Sequence, residues 1–163
     1  FRSIIEGIPS FGDKHLYEML ILESFQAGLS WECVLNKRED FRLAYDNFDI
    51  DKVCRYDERK IMELAANRNI IRNKRKIKAS IENSRVFKQI VAEFGSFYDY
   101  LKGFAGENMI YEVGRDTNEI SDKISEDLRR RRMSFVGSKI IYAYLQAVGV
   151  IYSHDEECDW RKR

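Results

Sequence analysis

The sequence has one proline, Pro9, and nine glycines in 163 residues. It has almost no apolar–polar alternation of period two, so a sheet protein is not expected. Three cysteines, Cys33, Cys54 and Cys158, are too few and too scattered for a disulfide framework, and a reducing cytosol is the simplest setting. No aliphatic run is longer than Met19-Leu20-Ile21-Leu22. A bilayer span needs about 20 such residues, so no transmembrane helix and no membrane partner is expected. No charged, apolar, small-residue leader is visible, so a secretory signal is not expected. Excess charge of one sign is lacking as well: 28 Lys+Arg stand against 27 Asp+Glu, for a net +1, which gives no global signature of a nucleic-acid binder. What is present is apolar material, 44% of residues, beside 34% charged ones. That is enough for a packed core and too much for a disordered chain. The length favours one domain over residues 1–163, with a divergent or incomplete N-terminal segment.

Charge is unevenly placed. Between Glu63 and Glu82 there is no acidic residue, yet Arg68, Arg72, Lys74, Arg75, Lys76 and Lys78 all fall there. Without them the rest of the chain is net acidic, so the molecule is polarised. A second cluster is Arg129-Arg130-Arg131-Arg132. A solvated helix face is the competing reading of each cluster, and the stronger one for 129–132.

Apolar residues recur at helical spacing. Asp13 can cap a helix carrying Leu16, Leu20 and Phe25, interrupted by Gly28. Ser30 can cap the next, and Asp49 and Asp57 two short ones. A long helix from about Arg75 carries the stripe Ile77, Ile81, Ser84, Phe87, Val91 and Phe94, with Gly95 as its stop. Phe97 to Phe104 form a short helix. Residues 105–120 lack periodicity and read as a surface loop. Ser121 then caps a helix with Ile124 and Leu128 inside. A last helix, from near Gly137 to Gly149, buries Ile140, Ile141, Tyr144, Leu145 and Val148. The expected architecture is all-α, roughly eight helices around one core.

Three segments carry chemistry. In Leu22-Glu23-Ser24-Phe25-Gln26-Ala27-Gly28-Leu29-Ser30-Trp31, Glu23 stands among apolar neighbours, where an unpaired buried charge is expensive. An acceptor, an aromatic plate and a tight turn lie close together there, although a surface Glu at an ordinary helix end is the more frequent case. Asn67 to Lys76 joins two helices, and such a turn can aim backbone N–H groups at an anion while Arg and Lys neutralise phosphates. Asn69 sits near the place of the glycine usual in such hairpins and tolerates the left-handed conformation. Finally, His154-x-x-x-Cys158 has the spacing of half a zinc site, a pattern more often accidental.

Together these segments resemble the DNA-3-methyladenine glycosylase I family of the helix-hairpin-helix glycosylases. The likeness rests on LESFQAGLSW, the VLNKRE run at 34–39, NIIRNKRKIKASIENS at 69–84, SFVGSKIIYAYLQAVGVI at 134–151 and the closing His154…Cys158, in that order. The resemblance implies a cytoplasmic, monomeric, monofunctional base-excision repair enzyme. Its partner is double-stranded DNA with N3-alkylated adenine, and its product is an abasic site. Residue by residue, Glu23 corresponds to the pocket carboxylate and Trp31 to the stacking aromatic. Phe1 falls at a further pocket aromatic. Gly28 and Leu29 correspond to the turn pressed into the duplex. Arg68, Asn69, Arg72, Lys74 and Lys76 correspond to the phosphate grip, and His154 and Cys158 to two of four structural zinc ligands. Aligned on Gly7 and Pro9, Arg2 falls at a zinc-ligand histidine and Glu6 at a tryptophan, while the first ligand cysteine precedes Phe1. The alternative is a catalytically impaired relative that binds alkylated or abasic DNA without excision.

Overall fold

The computed structural model describes residues 11–26 and 29–154, apart from the side chains of Trp31, Ser153 and His154. Over these residues the chain is a helical domain with one small sheet. Its helices are α1 (Asp13–Gln26), α2 (Trp31–Asn36), α3 (Arg38–Ala44), α4 (Ile50–Cys54), α5 (Glu58–Ala65), α6 (Lys74–Phe94), α7 (Phe97–Ala105), α8 (Glu119–Arg130) and α9 (Ser138–Ala147).

The centre of the domain is α1. Every residue from Leu16 to Phe25 is buried, which is the pattern of a helix covered on all sides rather than an amphipathic surface helix. It packs against α6, α9, α7 and α2. Its two buried glutamates, Glu18 and Glu23, therefore sit in the core. Glu18 is held by α3: Nε of Arg38 donates to its carboxylate at 3.0 Å and Nε of Arg42 at 2.7 Å. Burial alone would raise the Glu18 pKa, but the hydrogen bonds and charges of Arg42 and Arg38 outweigh it and hold the carboxyl below its ordinary value.

The helix ends follow local chemistry. Ser30, Asp49, Asp57 and Asn73 each accept a backbone N–H in the first turn of the helix they precede. Gly95 ends α6 at φ +91°, a conformation that glycine alone adopts without steric cost. Two expected caps differ. Asp13 lies inside α1, and its carboxylate instead accepts the N–H of Phe97 at 2.9 Å, tying α7 to α1. Ser121 is not the cap of α8. Asn118 is, and Ser121 closes a reciprocal capping box with it.

The segment expected to be a loop over 105–120 contains a strand. β1 (Ile110–Val113) pairs in parallel with β2 (Ile151–His154), Ile110 opposite Ile151. Four residues are too few to show alternation, and the partner strand follows α9, so the pairing leaves no local trace. Between α3 and α4, Asp46, Asn47 and Phe48 form a single turn with φ of +53°, +56° and +54°. Asp and Asn tolerate this region. Phe48 is held in it by burial and by stacking on Tyr45, with ring centres 5.7 Å apart.

Candidate nucleic-acid interface

Glu23 is 2% exposed and lies in the last turns of α1. Its charge acts on the phenol of Tyr144. Burial raises the Tyr144 pKa well above its ordinary value, and the Glu23 and Asp13 charges add to the effect. The carboxylate thus sits deep at the C-terminal end of the central helix. The chain then turns. The N–H of Leu29 donates to the carbonyl of Gln26, and the Gln26 side-chain amide donates back to the carbonyl of Leu29, both at 2.6 Å. Leu29 is an apolar side chain left 38% exposed. Ser30 caps α2, whose first residue is Trp31. Phe1, Gly28 and Cys158, with the side chains of Trp31 and His154, lie outside the described residues.

The cationic connector between α5 and α6 is fastened by buried Ile70, while Arg68, Asn69, Arg72, Lys74 and Arg75 are exposed. It is not a tight hairpin on a left-handed Asn69. Asn69 is absent from the positive-φ residues, and its N–H instead donates to the side chain of Asn67 at 2.8 Å. That local bond turns the backbone without the left-handed conformation.

Lys76 departs from its neighbours. It is 9% exposed, and its ammonium donates to the carbonyl of Phe25 at 3.0 Å. Burial lowers its pKa. The side chain that the sequence groups with the phosphate grip therefore points inward, toward the end of α1, two residues from Glu23.

The α8–α9 turn supplies what the connector lacks. Arg132 and Phe135 adopt φ of +83° and +59°, and Gly137 is the N-cap of α9 with no side chain capping it. A left-handed phenylalanine is strained unless its surroundings impose it. Here Asn83 of α6 does so. Its amide donates to the carbonyl of Ser134 and its oxygen accepts the Ser134 N–H, both at 2.9 Å. The hydroxyl of Ser125 donates to the carbonyl of Val136 at 2.7 Å. The Phe135 ring then lies 5.8 Å from the Arg75 guanidinium and 5.9 Å from the Lys76 ammonium.

Arg75, Lys78, Ala79, Ser134 and Phe135 line a groove of about 460 Å³. Nothing local marks Phe135 or Asn83 as site residues. Only the 69–84 and 134–151 blocks, as blocks, contain them. The four-arginine run divides. Arg131 bridges Asp127 and Glu93 and covers the rings of Phe94 and Tyr100, and Arg130 pairs with Asp127. Arg129 and Arg132 are exposed. Burial works to raise the Asp127 pKa, but hydrogen bonds from Tyr100 and Arg131 hold it below the ordinary value. Arg130 and Arg131 are thus engaged by carboxylates of the protein, Arg130 on an exposed face and Arg131 mostly covered.

Among the described residues no group of three or more His, Cys, Asp or Glu side chains could hold a metal ion. Arg2, at the position matched to a ligand histidine, offers only N–H donors. His154 and Cys158, the two ligand candidates, lie outside the described side chains.

A helical domain with a buried carboxylate at a helix end, an exposed apolar turn beside it and a cationic groove is the outline of a protein that handles nucleic acid. Comparison with known proteins gives the family. The methyladenine glycosylase family model matches residues 6–162. DNA-3-methyladenine glycosylase 1 of Escherichia coli (strain K12) is 35% identical over 158 residues, covering 93% of this chain and 84% of the relative. A crystal structure of 3-methyladenine DNA glycosylase I superposes with a TM-score of 0.84 at 32% identity, covering 89% of this chain and 83% of the other. The Staphylococcus aureus enzyme, solved to explain 3-methyladenine recognition, superposes with a TM-score of 0.87 at 26% identity over 93% of this chain and 84% of that one. The chain belongs to the methyladenine glycosylase family. No helix among the described residues is long and apolar enough to cross a membrane.

Proposed function

We infer that this chain is a DNA-3-methyladenine glycosylase, which hydrolyses the N-glycosidic bond of 3-methyladenine in alkylated DNA. The observation that carries the reading to the residues is Glu23, an acid buried in the last turns of the central helix, two residues before Phe25, whose carbonyl accepts the Lys76 ammonium from the cationic start of α6.

Methylation at N3 places positive charge on adenine. The glycosidic bond is weakened because the base can depart neutral. Selection of the right base then matters more than strong acid catalysis. The base is reached only after the nucleotide leaves the stack, and a damaged base flips at lower cost. In this reading Glu23 accepts hydrogen bonds from the amine edge of the cationic purine. Trp31 supplies an aromatic face, worth roughly 0.5–2 kcal/mol toward a cation and not offered by neutral adenine. Phe1 is the further pocket aromatic. Gly28 and Leu29 press into the space left by the extruded nucleotide.

Arg68, Asn69, Arg72 and Lys74 hold the strand by its phosphates, joined by Arg75 and Lys78 across the groove. The α8–α9 turn is the hairpin of this reading, with the N-terminus of α9 directed at the backbone. Water attacks C1′ of the sugar, the bond from C1′ to N9 breaks, and its electron pair neutralises the base. The water proton passes to solvent, and an abasic site on double-stranded DNA remains. The protein works as a monomer in the cytoplasm.

Incubation with an N-methylated duplex and chromatography of the released bases tests this. Free 3-methyladenine is expected. Retained affinity for alkylated or abasic duplex with no base released would identify a non-excising relative instead.

A further inference from the structure

We propose that Lys76 is a positioning residue for excision, holding the end of α1 that carries Glu23 against the α8–α9 turn, rather than a phosphate contact. The proposal rests on the glycosylase reading above.

Three observations support it. First, the ammonium is spent inside the protein: it donates to the carbonyl of Phe25 and faces the ring of Phe135. Those two contacts belong to the two elements that excision must keep in register, the base pocket and the DNA groove. Second, α1 has no basic residue in its last turn. The last carbonyls of a helix need donors from elsewhere, and Lys76 reaches across from α6 to supply one beside the turn that presents Leu29. Third, the lysine is badly placed for stability. It sits in the first turn of α6, which itself contains no acidic residue and where a cation opposes the helix dipole. It is also buried, which disfavours a charge. A methionine would fill the same space without either cost. Local rules broken in this way are expected at functional sites, where stability is set aside for geometry.

The test compares Lys76→Met and Lys76→Gln with Lys74→Ala, using single-turnover excision from alkylated duplex, the salt dependence of duplex binding and thermal melting. Lys76→Met is expected to lower the excision rate at least about tenfold, the worth of one hydrogen bond at roughly 1.4 kcal/mol. Its melting temperature should stay level or rise, and its salt slope should match the parent. Lys76→Gln keeps a donor and should recover part of the rate. Lys74→Ala should reduce the slope by about 0.9. A similar loss of slope in Lys76→Met would make Lys76 a phosphate contact and overturn the proposal. Unchanged excision in Lys76→Met would also overturn it, as would a fall in melting temperature, or failure to fold, alongside the lost rate. If the parent protein itself released no 3-methyladenine, the glycosylase reading would fail first and the proposal with it.

Discussion

The guanidinium of Arg75 lies 5.8 Å from the centre of the Phe135 ring. Arg75 lies in the first turn of α6 and Phe135 stands in the turn before α9, so this contact brings the first basic cluster and the α8–α9 turn to the walls of one groove. Lys76, the next residue, turns the opposite way to the carbonyl of Phe25. Adjacent cations of one helix thus reach the groove and the protein interior respectively, because successive helical side chains diverge by about 100°.

Glu23→Gln keeps size and hydrogen-bonding capacity but removes the charge that complements a cationic purine. Excision of 3-methyladenine should fall roughly 10–150-fold, the equivalent of about 1.5–3 kcal/mol for a hydrogen bond to a charged group. Duplex affinity in the absence of damage should be unchanged. Single-turnover kinetics beside a binding titration check both, and a parent-like rate would remove Glu23 from the mechanism.

Arg72→Ala and Lys74→Ala act on exposed cations of the connector. Each should weaken binding to all duplex sequences alike and lower the slope of log affinity against log salt by about 0.9. Titrations at several salt concentrations measure this. Slopes equal to the parent would shift the phosphate contacts to Arg129 and Arg132.

Glu18 binds α1 to α3 through Arg38 and Arg42. Its carboxyl is held below the ordinary value. The associated stability is therefore present above the unfolded pKa of about 4.3 and is lost as pH falls through the lower folded value. Glu18→Ala should cost roughly 2–4 kcal/mol near pH 7, because Arg38 loses its carboxylate and Arg42 keeps only Glu39. Below about pH 4 the gap between variant and parent should narrow. Denaturant titrations at both pH values test the sign.

Asn83→Ala removes both bonds that hold the Ser134 peptide. The expected loss is about 1–3 kcal/mol, tempered by water at this exposed turn. DNA affinity should fall with it, since the left-handed geometry of Phe135 is no longer imposed. Melting curves and duplex titrations would show both effects, and an unaltered affinity would separate the turn from DNA binding.

Much of this protein was written in the sequence. The helical class, the caps at Ser30, Asp49 and Asp57 and the stop at Gly95 follow from local propensity, which acts within a few residues. The ordered blocks from LESFQAGLSW to SFVGSKIIYAYLQAVGVI carried the family, and with it the expectation that Glu23 is the buried acid. Tertiary structure decided the rest. The β1–β2 pairing joins segments too short to show a period. Asp13 accepts the first N–H of α7 rather than capping its own helix. Lys76 reads as one more cation until the fold sets the end of α1 beneath it, and Phe135 takes a backbone conformation its own side chain disfavours because Asn83, distant in the chain, holds the neighbouring peptide. Such outcomes depend on which surfaces meet, and no window of sequence contains both partners of a long-range contact.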